Sequence, residues 1–123
     1  MSSRRTLVIA GVLLALATVC GAFGAHALKG EVPADRLQLW DTAVRYQFFN
    51  SLGLLGVGLT MRTLDASALR TVAALLLIGV VLFSGSLYVL SAGGPRLAGL
   101  LTPLGGFAWS GAWLLYAWAV WRH

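Results

Sequence analysis

Charge is scarce in this chain. Charged side chains make up 11% of its 123 residues, where a soluble domain carries about 25%. No Asp, Glu, Lys or Arg lies deep inside four long apolar stretches: Thr6 to about Leu28, about Val44 to Met61, Thr71 to Ala92, and about Leu97 to Trp121. Without an embedded carboxylate, the chain lacks the group that couples protons to transport in a small cation exporter. Histidine is nearly missing as well. His26 and His123 are the only two, which is too few for a metal centre or a bis-histidine haem site. Neither an H-E-x-x-H nor a G-x-S-x-G pattern occurs, so the zincin and serine-hydrolase chemistries fall away. The single cysteine, Cys20, cannot form an internal disulfide and reads as a small packing residue.

What is present is hydrocarbon. Hydrophobic residues reach 59%, and mean hydropathy is +0.83. Each apolar stretch approaches or exceeds the roughly 20 residues that a helix needs to cross a bilayer. The expected fold is all-α: an integral-membrane, antiparallel four-helix bundle forming one domain over residues 1–123. Such a length has no room for a separate soluble catalytic domain. The net charge of +5 does not indicate nucleic-acid binding. The nine basic residues (Arg4, Arg5, Lys29, Arg36, Arg45, Arg62, Arg70, Arg96 and Arg122) stand at the ends of the stretches, where they anchor and orient a membrane protein. Four crossings leave five Lys/Arg on the side of the termini and four on the other, which places both termini in the cytoplasm.

Arg4 and Arg5, the apolar run after them and Ala25-His26-Ala27 also have the form of a signal peptide with its cleavage site. That alternative leaves a secreted product of three spans. The uncharged run of 23 residues from Thr6 to Leu28 exceeds a usual signal core and favours a retained span.

The first connection is the only long one. Pro33-Ala34-Asp35 has the form of a helix start. Leu37, Trp40, Val44 and Phe48 then recur at helical spacing. A short amphipathic surface helix is expected over about 33–43, running into the second span. The second connection, residues 62–67, is a tight turn, and Gly93-Gly94-Pro95-Arg96 is a strong break. Small residues on every span suit close backbone approach, which holds helices together in lipid better than apolar burial does. They also leave self-association open. Examples are Ala17, Gly21 and Ala25, then Gly53, Gly56 and Gly58, and later Gly105, Gly106 and Gly111.

Polar side chains collect at one end of such a bundle. His26 ends the first span, Tyr46, Gln47, Asn50 and Ser51 begin the second, Ser84, Ser86 and Tyr88 lie late in the third, and Thr102 and Pro103 open the fourth. Gln47, Asn50 and Ser51 share a helix face, and an unsatisfied amide in hydrocarbon costs several kcal/mol. The expected candidate site is therefore a polar cluster of His26, Tyr46, Gln47 and Asn50 with Ser84 or Ser86. It serves either as a hydrogen-bond network fixing helix register or as a ligand or proton site with His26 as the titratable member. Trp109 and Trp113 share a face of the last helix and suit either core packing or stacking on an aromatic ligand.

Four motifs along these segments resemble a known family. Gly21-Ala22-Phe23-Gly24-Ala25-His26-Ala27-Leu28, Trp40-Asp41-Thr42-Ala43-Val44-Arg45-Tyr46-Gln47, Phe83-Ser84-Gly85-Ser86-Leu87-Tyr88 and Leu101-Thr102-Pro103-Leu104-Gly105-Gly106 look like those of the domain-of-unknown-function 423 family, whose animal relative is called transmembrane protein 256. The resemblance implies a four-helix protein of the bacterial inner membrane, with no established activity and no agreed catalytic residues. Family members often have a His where this chain has Asn50, which weakens metal and proton-relay readings and leaves hydrogen bonding. The first motif also crosses the cleavage site that a signal peptide would need. The expected function is non-enzymatic: a membrane scaffold or a binder of a lipid or other apolar ligand, with membrane lipids as partners and neither cofactor nor metal. The alternative is a subunit of an oligomeric small-molecule or ion transporter.

Overall fold

A computed structural model describes residues 1–123. Four long helices account for most of them: α1 (Ser3–Leu28), α2 (Ala34–Thr63), α3 (Ser67–Ser91) and α4 (Leu101–Arg122). The Ser2 side chain starts α1 by accepting from the Arg5 N–H at 3.2 Å, as a serine N-cap does. The last turn of α1, Gly24–Leu28, is wound as a π-helix. Gly30 then takes φ +84° to reverse the chain, a conformation open to glycine and strained for other residues. Pro33 and Asp35 open α2.

The separate surface helix expected over 33–43 does not form as its own element. It is the first three turns of α2, one unbroken helix of 30 residues. Neither Gly nor Pro occurs between Ala34 and Leu52, so nothing interrupts the backbone bonds at 43–44. The stripe behind that expectation does face the neighbouring helices: Val44 is buried, and Leu37, Trp40 and Phe48 are half-buried. The fourth apolar stretch is also divided. Arg96–Leu100 form a 3-10 turn, and α-helix begins at Leu101. Pro103 then falls in the first turn, where its missing N–H costs no helix bond.

Sequential helices run antiparallel. The Ser3 hydroxyl donates to the Gly58 carbonyl at 2.7 Å, the Gln47 amide to Leu13 at 2.8 Å, and the Trp40 indole to Cys20 at 2.7 Å. These three bonds pin α1 to α2 along its length. α3 and α4 are tied by Trp109 Nε1 donating to the Leu76 carbonyl at 3.1 Å and by the Ser86–Thr102 hydroxyl pair. α2 and α4 run in the same direction and meet through long side chains: the Trp113 indole reaches Asn50 at 3.2 Å, and the hydroxyls of Thr60 and Tyr116 lie 3.1 Å apart. Helix α2 therefore touches all three others.

Small residues set the closest approaches. A side chain at Gly58 would strike Leu7, at Gly53 Trp113, and at Gly79 Trp109. At Gly105 it would strike the backbone of Phe83 in α3. The core between them holds Leu54, Val57, Val72, Leu76 and Trp109.

Two helices, α1 and α3, are long and apolar enough to cross a membrane. α2 misses that standard because Tyr46, Gln47, Asn50, Ser51 and three glycines dilute its apolar part, and Asp35, Arg36, Asp41 and Arg45 occupy the part before it. α4 misses it because Gly, Ser, Tyr and Trp replace aliphatic side chains. Only 17% of the most apolar window of α1 is buried, so α1 is not the core helix of a water-soluble domain. Its outward row of Val8, Val12, Leu16 and Val19 is at least half exposed, an apolar surface that water-soluble monomers avoid.

Candidate functional site

Gln47 is the best-connected polar side chain. It is 4% exposed. Its amide nitrogen donates to the Leu13 carbonyl of α1 at 2.8 Å, and its oxygen accepts from the Tyr88 hydroxyl of α3 at 2.7 Å. One residue thus joins three helices. Tyr88 is held in turn by its ring, which meets Trp40 edge-on at 4.6 Å. The helical spacing of Gln47 and Asn50 turns the second amide toward α4 instead. Asn50 donates to the Tyr46 carbonyl one turn back at 3.1 Å and accepts from the Trp113 indole at 3.2 Å.

The serines act separately again. The Ser84 hydroxyl is fully buried and donates to the Ala43 carbonyl at 2.8 Å. It ends the π-turn Val80–Ser84 of α3. Such turns insert one extra residue and recur at functional sites. Ser86 bonds its own helix at the Phe83 carbonyl, 2.8 Å away, and pairs with Thr102. Ser51, one turn beyond Gln47, is fully buried, and its hydroxyl has no partner. The polar residues therefore form several separate ties between helices rather than one connected cluster.

His26 takes no part, contrary to the expectation that it joins Gln47 and Asn50. It is exposed on the π-turn that ends α1. Trp40 has taken the space beside that turn: its indole donates to Cys20 and lies so close to Gly24 that any side chain there would collide with it. We expect His26→Ala to leave the melting temperature in detergent within about 1 °C of wild type, as for other exposed positions. A drop of several degrees would show that His26 carries a hidden contact.

Tyr46 contributes a ring rather than a polar link. It is 40% exposed. Its plane lies within 12° of that of Trp109 at 6.0 Å, and Phe83 fits against both, at 5.0 Å from Tyr46 and 4.7 Å from Trp109. With Phe49, Asn50 and Trp113, these rings line a cleft of about 460 Å³ between α2 and α4. It stays open because α2 and α4 meet only through long side chains. Its polar side chains are Asn50, Ser110 and the Tyr46 phenol, and Asn50 keeps one amide hydrogen and one oxygen lone pair unused. Sequence reasoning had set Trp109 and Trp113 on one helix face. It did not join them to Tyr46, Phe49 and Phe83, which lie on two other helices and share no spacing rule with them. No three His, Cys, Asp or Glu side chains come together anywhere in the chain.

Comparison with known proteins agrees with the motifs. The family model described as "Protein of unknown function (DUF423)" matches residues 20–106. The chain is similar to the UPF0382 membrane protein YwdK of Bacillus subtilis (strain 168), at 41% identity over 113 residues that cover 90% of this chain and 92% of the relative. It is also similar to the UPF0382 inner membrane protein YgdD of Escherichia coli (strain K12), at 35% identity over 115 residues, 94% of this chain and 88% of the relative. No solved structure matches it. With most of its length matched and its apolar helices facing outward, the chain belongs to the DUF423 family and is a membrane protein.

Proposed function

We propose that this protein is a non-enzymatic membrane scaffold that holds a lipid or another apolar ligand in the aromatic cleft. In this reading all four helices cross the bacterial inner membrane, both termini are cytoplasmic, and the first turns of α2 lie at the outer surface. The length of α4, 22 residues, corresponds to roughly 33 Å and suits a crossing. The observation that carries the reading is the cleft itself: flat aromatic walls with one amide that has bonds to spare. The ligand it fits is flat and apolar and bears a carbonyl or hydroxyl group.

Gly106 offers a clean test. It lines the cleft, and a side chain there would enter open space. Gly106→Leu should therefore fill the cleft while the helix keeps its fold. Wild-type protein purified from membranes should release about one apolar molecule per chain on organic extraction, read by mass spectrometry, and Gly106→Leu should release at least fivefold less. Equal retention by both proteins, or none by wild type, rules the reading out.

The glycines that no internal contact uses favour self-association as a companion property. Gly11, Gly56, Gly85 and Gly111 all have open space where a side chain would stand, and small residues are what lets membrane helices of two chains approach. A transporter subunit would need such an oligomer to enclose a path.

A further inference from the structure

A second opening lies at the other end of the molecule, where α1 and α3 begin and α2 ends. A cleft of about 480 Å³ is lined there by Arg5, Met61, Leu64, Asp65 and Arg70. Arg4 and Arg5, with Val8 and Ile9, border an adjoining hollow of about 400 Å³. No carboxylate oxygen comes within 4.0 Å of a Lys or Arg nitrogen, so Arg5 and Arg70 face the cleft without an ion pair. Asp65 leaves this end positive on balance.

The same two helices form a groove farther along. α1 packs on α2 and scarcely on α3, and the gap holds a trough of about 310 Å³. Its walls are Leu13 and Leu16 of α1 and Val80 and Val81 of α3, and Gln47 and Tyr88 also line it. Leu16 follows Arg5 by eleven residues, as Val81 follows Arg70. Each interval rises about 16 Å along a helix. One leaflet of hydrocarbon is about 15 Å deep. The spacing from basic end to apolar trough is therefore about one leaflet, the reach of an acyl chain from its headgroup to its far end.

We propose that the α1–α3 face binds one anionic phospholipid. Its phosphate sits between Arg5 and Arg70, and an acyl chain lies along Leu13, Leu16, Val80 and Val81. Guanidinium groups match phosphate oxygens in charge and geometry, and basic pockets between membrane helices take anionic headgroups. The trough decides between a lipid and a soluble phosphate, because a soluble anion would use the arginines and leave the apolar walls unused. This site is independent of the aromatic cleft, which opens between α2 and α4.

The test is a titration of the purified protein in neutral detergent with phosphatidylglycerol and, separately, phosphatidylcholine, with lipid-bound species counted by native mass spectrometry. Wild type should hold one phosphatidylglycerol per chain, roughly thirtyfold more tightly than phosphatidylcholine, at about a fivefold to sixfold gain for each basic group. Arg5→Gln combined with Arg70→Gln should remove that preference; both positions are exposed, so the fold is not at risk. Arg122→Gln should keep it, since that guanidinium lies over Trp118 of α4 at 5.3 Å. Val81→Trp, at a position 63% exposed, should close the trough and weaken phosphatidylglycerol binding. Equal binding of the two lipids, or a preference that survives loss of both arginines, overturns the proposal. So does glycerol phosphate binding as tightly as the lipid, which would make this a site for soluble anions.

Discussion

Gly105→Ala should unfold the α3–α4 half of the molecule far more readily than Gly106→Ala, although the two positions are adjacent on one helix. A methyl group at Gly105 meets the backbone nitrogen of Phe83 and the carbonyl of Gly79, whereas one at Gly106 meets nothing within 4 Å. Backbone cannot turn aside as a flexible side chain can, so α4 has to move away from α3. Overpacking of this kind costs about 1–3 kcal/mol. The displacement also strains two ties that depend on the same approach, Trp109 to Leu76 and Ser86 to Thr102. Helix propensity works the other way, since Ala gains about 1 kcal/mol over Gly at either site. Gly106→Ala should therefore be neutral or stabilising, and Gly105→Ala should lower the melting temperature in detergent by roughly 5 °C. Equal melting temperatures for the two variants would mean that α3 and α4 do not approach at this point.

The contrast between those neighbours marks where sequence reasoning reaches its limit. Both glycines stand in the motif that resembles the family, and both read as small residues suited to packing. Which of them faces α3 depends on the rotation of α4 about its axis, and that is set by Trp109 reaching Leu76 and by the π-turn in α3. The helices themselves were legible because apolar runs, Pro33 and the Gly93–Pro95 break are local signals. The segment that runs into the second span reads as a short helix of its own because polarity changes at Arg45, while the backbone of α2 does not change there. A similar limit applies to the polar residues. Burial of Gln47, Asn50, Ser84 and Ser86 followed from their chemistry, since amides and hydroxyls near hydrocarbon must find partners. The partners did not follow. All four bond a main-chain carbonyl on their own or another helix, and a sequence carries no mark of which carbonyl is within reach. His26 was placed with them because its position along α1 fits. Its direction was decided by Trp40, whose indole covers the Cys20 carbonyl and Gly24.

Gln47→Leu should be the most damaging of the polar substitutions. Leucine nearly keeps the volume, so the loss is chemical: no donor for the Leu13 carbonyl of α1 and no acceptor for the Tyr88 hydroxyl of α3. The two groups left behind are not equivalent. A helix carbonyl retains its own helix bond and loses only a second one, whereas the Tyr88 hydroxyl loses the single bond that it donates. Leaving a buried donor unpaired costs about 1–3 kcal/mol, and polar contacts between membrane helices average about 0.6 kcal/mol each. Together these put Gln47→Leu at roughly 2 kcal/mol. Tyr88→Phe removes the hydroxyl and leaves the Gln47 oxygen unpaired, so it should cost about half as much. The double variant tests the link directly. If Gln47 and Tyr88 act through their bond, the double variant should be no less stable than Gln47→Leu alone, because leucine against phenylalanine leaves no orphaned hydroxyl. Additive losses in detergent unfolding would show that the two side chains stabilise the helices independently, and α1 and α3 would then not be coupled through α2 at this point.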